Sequence, residues 1–187
     1  MIVELREELE VRCLNLAKSI TSKRNTCKKD DITVKKSVEQ RLLNKMCEWA
    51  VHAYLIRTLN IDHCMITQPN MDVFYTPKET QVNMYVVDSQ AFHFNVVSQT
   101  SDSAKAYGHS FNKNTRTLGT LAGSSIFYCL QLGPRKFKII SLGKWDSLVL
   151  SKPKMAHHQE SKVSVYLRDN LSLSVKQSLK NDGIIIK

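Results

Sequence analysis

The chain has 187 residues, 42% of them hydrophobic and 24% charged, and a formal net charge of +10. That balance excludes a disordered polymer, and the length suffices to bury a core without disulfide staples. Its five cysteines, Cys13, Cys27, Cys47, Cys64 and Cys129, stand far apart without Cys-x-x-Cys or Cys/His ligand spacing, which excludes a zinc finger and argues for a reducing compartment.

In chain order, Ile2, Leu5, Leu9, Cys13, Leu16, Ala17 and Ile20 fall at helical spacing opposite Glu4, Glu7, Glu8 and Arg12, which predicts an amphipathic first helix. Residues 22–36 are rich in Lys and lack apolar periodicity, so they read as a basic loop. Ser37 and Gln40 resemble a capping box, after which Val38, Leu42, Met46, Trp49, Ala50, Ala53 and Ile56 trace one buried face as far as Leu59. The polar stripe Arg41, Lys45, Glu48 and His52 recurs every three or four residues, so these groups project together toward one site.

From Cys64 the period changes to extended structure, near 65–67, 72–75, 81–87 and 91–99, with Asp88-Ser89-Gln90 as a turn joining an antiparallel pair. A helix is predicted from Thr100 to Asn112, capped by Ser101 or Ser103. Strands follow at 124–132, 136–142 and 146–150, with Gly133-Pro134 as a turn, and a last strand at 163–167. This order predicts an α/β or α+β fold: N-terminal helices packed on a central mixed sheet, in one domain over 1–187 with a basic C-terminal extension from about 152. No apolar run is long enough to cross a bilayer and no cationic-then-apolar leader opens the chain, so an intracellular, non-membrane protein is expected.

Charge is distributed unevenly. Residues 60–100 hold Asp62, Asp72, Glu79 and Asp88 against Lys78 alone, whereas residues 134–187 hold eleven Lys and Arg against four acids. Two cationic clusters stand out: Lys23, Arg24, Lys28, Lys29, Lys35 and Lys36, and then Arg135, Lys136, Lys138 and Lys144. Such clusters suit a polyanion, because each neutralised phosphate releases condensed counterions; Tyr128, Phe137 and Trp145, interleaved with the second, could stack bases. Gly-rich phosphate loops and a Gly-x-Ser-x-Gly elbow are absent.

A helix with a polar inward stripe, then Asp preceded by Pro in Pro69-Asn70-Met71-Asp72, a strand with a second acid, and a helix bearing Lys resembles the PD-(D/E)XK, or restriction-endonuclease-like, nucleases over about residues 37–142. The resemblance implies paired carboxylates holding Mg²⁺ or Mn²⁺, which activates water for phosphodiester cleavage in DNA or RNA. Asp72 would be the first ligand. The second is Asp88, with Gln90 where the lysine belongs, or the place is held by Asn95, with Val97 where the lysine belongs. A displaced Lys105 with His52 as extra ligand and Glu48 beside it looks like the cap-snatching endonucleases of segmented negative-strand RNA viruses. The expected partners are nucleic acid and, as an assembly, a homodimer or a larger nucleoprotein or polymerase complex. The alternative is a nuclease-fold domain that has lost the catalyst and binds nucleic acid or scaffolds such a complex.

Overall fold

The computed structural model describes residues 2–24, 31–59, 66, 68–69, 71, 83–87, 90–154 and 161–181. Its elements are β1 (Ile2–Glu4), α1 (Glu7–Arg24), α2 (Asp31–Leu59), β2 (Asn83–Val87), β3 (Gln90–Thr100), α3 (Ser101–Tyr107), β4 (Ser110–Asn114), β5 (Ser125–Gly133), β6 (Lys136–Lys144), β7 (Lys162–Tyr166) and α4 (Val175–Asn181). Helices packed on a mixed sheet make this an α+β fold. The main sheet runs β1-β6-β5-β3-β2, with β3 and β5 parallel and the other neighbours antiparallel; β4 and β7 form a separate antiparallel pair. No helix among the described residues is long and apolar enough to cross a membrane.

The central strand explains the layering. Ser125–Leu130 is buried at every position, as a strand covered on both faces must be. Phe127 and Cys129 join Phe94, Phe137 and Ile139 under Met46, Val51 and Leu55 of α2 and Leu179 of α4. Ile126, Tyr128 and Leu130 face the other way, into a second core with Val97, Phe111, Leu121, Trp145 and Val165. The sheet is thus sandwiched between helices and the small β4/β7 pair. Cys13, Cys47 and Cys129 are buried free thiols; burial pushes Cys13 up to about 11 and raises Cys47 well above its ordinary value, so both stay protonated and inert.

Several predicted elements are corrected. Ile2–Glu4 is a strand on β6, with Val3 buried and Ile2 exposed, because three residues at the chain's start carry too little pattern to distinguish helix from strand. Helix α2 begins at Asp31, inside the expected basic loop; Ile32 is exposed there, so the first turns bury no apolar stripe that could announce them. Its buried face is Leu43, Met46, Cys47, Ala50, Val51, Tyr54 and Leu55, while the predicted Leu42, Trp49, Ala53 and Ile56 form the rim. The helix after β3 stops at Tyr107, where Gly108 takes φ +79°, and β4 replaces its expected second half. Its cap is Thr100, whose Oγ1 accepts the Ser103 N–H at 3.1 Å. Residues 145–147 form a 3₁₀ turn instead of a strand, and α4 was not anticipated.

The expected antiparallel pairing of β2 and β3 is present, with Val87 opposite Gln90; Asp88 and Ser89 between them lie outside the described residues, as do 72–75. The register ends at Asn83 opposite Phe94, so among the described residues Asn95–Thr100 pair with β5 alone and their other edge is open. The candidate site lies along that edge.

Candidate functional site

A cleft of about 610 Å³ runs along the open half of β3, between α2 and the β4/β7 pair. Gln40, Asn44 and Glu48 enter it from one face of α2, four residues apart. Asn44 Oδ1 accepts from Ser98 Oγ at 2.5 Å and from Gln40 Nε2 at 2.8 Å, which ties α2 to β3. On the far wall, Ser164 Oγ of β7 donates to Asn112 Oδ1 of β4 at 2.5 Å.

Two ionisable groups are perturbed here. Glu48 is half-buried, and burial raises its carboxyl above the ordinary value, opposed by the Lys45 ammonium 2.5 Å away. Lys113 reaches from β4 to Asn95 Oδ1 at 2.8 Å, and burial lowers its pKa from 10.5 to about 8. Between those two values the unfolded chain keeps a proton that the folded amine has shed, so this group makes stability rise with pH across that window. The urea midpoint of wild type should therefore climb relative to Lys113→Gln between about pH 7.5 and 10; a constant difference contradicts the burial of the amine.

Gln99 organises the loop that closes the cleft. Its Oε1 accepts from the Ser110 N–H at 3.1 Å and from the Tyr128 hydroxyl, and its Nε2 donates to Gly108 O at 3.0 Å and Ser103 Oγ at 3.3 Å. Beyond that loop lies a second recess of about 400 Å³, which shares Tyr107, Lys154 and Tyr166 with the cleft. Lys154 Nζ and Arg168 Cζ stand 5.7 and 5.6 Å from the Tyr166 ring centroid, Lys154 Nζ also donates to Tyr107 O at 3.5 Å, and Arg168 Nε lies 3.3 Å from Asp169 Oδ1. Lys138 completes the cationic lining, and no carboxylate among the described residues lines this recess.

Of the residues singled out from sequence, Glu48 lines the cleft and Lys138 the recess. His52 is buried edge-on to Trp49, with ring centroids 5.3 Å apart, and lines neither hollow. Lys105 is exposed on α3, 3.8 Å from Asp102 and outside the cleft, which is lined instead by Lys113 and Lys154. Lys35 and Lys36 are exposed on the first turns of α2, and Lys23 and Arg24 fall in the last turn of α1. Arg135 Nη1 pairs with Glu7 at 3.1 Å, Lys136 is exposed, and Lys144 is half-buried. Asp72, Asp88, Lys28 and Lys29 lie outside the described residues. Tyr128, Phe137 and Trp145 are core residues and present no stacking face; the exposed aromatic of the site is Tyr107.

Lys113, Lys154, Arg168, Tyr107 and Gln99 were missed. For Lys113 a signal existed in the alternation of Ser110–Asn114, obscured by a helix expected to run through it. As donors for a divalent ion, the described residues do not suffice. The Glu48 carboxylate is held by Lys45, the Asn95 oxygen by Lys113, and no three His, Cys, Asp or Glu side chains converge among the described residues. No protein-family model, curated protein or solved structure matches the chain.

Proposed function

We propose that the chain binds nucleic acid, on a helix–hairpin–helix–strand arrangement that resembles the PD-(D/E)XK nucleases, with the cleft and recess as its backbone-gripping surface. The observation that carries this reading is the cationic lining: Lys113, Lys138, Lys154 and Arg168 border two hollows that share a rim; among the described residues the carboxylate lining them, Glu48, has Lys45 as counter-ion, and Asp169 lies beside Arg168 without lining either. Four phosphate contacts would make affinity fall about fifty- to a hundred-and-fiftyfold between 50 and 200 mM salt. Fluorescence anisotropy with labelled oligonucleotides checks this; affinity unmoved by salt, or no binding at 50 mM, contradicts it.

Glu48 supports a second reading, a Mg²⁺- or Mn²⁺-dependent endonuclease. Its carboxylate faces the cleft from the helix that precedes the hairpin, and the family resemblance offers it, with His52, as an additional metal ligand. The metal would then rest on Asp72 and Asp88 and would supply an activated water and charge stabilisation. If so, wild type nicks DNA or RNA in Mn²⁺ while Asp72→Ala and Glu48→Gln do not. Intact substrate with wild type, or equal cleavage by all three, removes cleavage and leaves binding.

A further inference from the structure

We propose that the second recess is a base pocket: it takes one unstacked nucleobase while Lys154 and Arg168 hold the neighbouring phosphates, which makes single-stranded nucleic acid the preferred partner. The inference rests on the nucleic-acid reading above and sharpens it.

The lining has the two chemistries a nucleotide needs. Leu130, Ile140 and Leu167 give the recess an apolar wall, and its volume of about 400 Å³ lies within the range of roughly 300–1,000 Å³ common to small-molecule sites. Tyr107, the last residue of α3, stands 45% exposed on the rim shared with the cleft, an aromatic face that the core does not use. Every base has a π-face, so stacking on such a ring is tolerant of sequence.

One polar group lining the recess has an assignable tautomer. The Tyr128 hydroxyl donates to Gln99 Oε1, so at 3.2 Å it accepts the proton on His109 Nδ1. In the neutral ring that leaves Nε2 of His109, which lines the recess, as a lone-pair acceptor suited to an exocyclic amino or imino N–H of a base.

The cations are preorganised. Tyr166 is 8% exposed, and Lys154 and Arg168 lie over its ring, so the tyrosine holds two positive charges at the mouth of the recess and is not itself the stacking platform. A duplex keeps its bases stacked inside and offers such a hollow only phosphate; a single strand offers phosphate and base together.

The test compares one labelled single strand, its duplex and an abasic strand of equal charge at fixed salt, by anisotropy, against wild type, Tyr107→Ala and Lys154→Ala. The expected result is single-strand binding roughly tenfold tighter than either comparator. Tyr107→Ala should lower it to the abasic level while leaving abasic binding unchanged, and Lys154→Ala should weaken all three. Equal, salt-sensitive binding of all three strands, or an equal loss on all three from Tyr107→Ala, overturns the base pocket and spares the parent reading. Failure of every strand to bind overturns both.

Discussion

Replacing Gln99 with leucine should destabilise the protein by about 3 kcal/mol, although the two side chains are close in size. The change takes away the acceptor of the Tyr128 O–H, which belongs to a fully buried ring, and that of the Ser110 N–H, and removes the tie to Gly108 O. A buried donor left unmade costs about 1–3 kcal/mol, so two of them dominate the small gain from a more apolar side chain. Tyr128→Phe removes one donor and leaves the amide's remaining bonds in place, and should cost about 1 kcal/mol. Urea titration of the pair checks the ratio. Equal costs would mean that the Gln99 amide does not hold the Gly108–Ser110 turn, on which the juxtaposition of Tyr107 and His109 depends.

The second large effect concerns Lys45. In Lys45→Met the half-buried Glu48 carboxylate loses the counter-ion 2.5 Å away, and the loss should be about 2 kcal/mol near neutral pH, below the roughly 3–5 kcal/mol seen for wholly buried pairs. Burial already raises the Glu48 pKa above 4.5, and removing Lys45 raises it further. A carboxyl whose folded pKa exceeds its unfolded value contributes full stability below the unfolded value and loses it as pH rises through the folded one. The deficit should therefore shrink as pH falls toward the unfolded value and grow as pH rises through the raised folded pKa, and Lys45→Met/Glu48→Gln should recover most of it. A deficit independent of pH would show that Lys45 acts by packing its stem and not by its charge.

Elements with a long, unambiguous period were legible in the amino-acid sequence. The body of α2, the β2/β3 pair and strands β5 to β7 follow from apolar spacing and from turn residues such as Gly133-Pro134. Short elements were not: the three residues of β1 carry no period of their own, the brief alternation of β4 was overridden by a helix expected to reach Asn112, and both strands are specified by the strands they pair with. The polar stripe on α2 was legible as a stripe but divides in space: Glu48 faces the cleft, and His52 turns into the core beside Trp49. The cations of the site come from β4, β6 and the segments flanking β7, and their convergence is a consequence of the β4/β7 pairing. No local run could have shown it. Charge density along the chain pointed instead to Lys35 and Lys36, which are exposed on α2 and line neither hollow.

That contrast between charge in bulk and charge in place yields the decisive measurement. Lys113→Gln/Lys154→Gln/Arg168→Gln and Lys18→Gln/Lys176→Gln/Lys180→Gln remove the same formal charge, the first set from the hollows and the second from exposed positions on α1 and α4. Anisotropy titrations of one labelled single strand at several salt concentrations should show the first variant losing at least tenfold in affinity and its salt slope falling by about 2 to 3, while the second stays close to wild type. Equal losses in the two variants would mean that the protein holds nucleic acid by net charge alone and that the cleft is not its binding site.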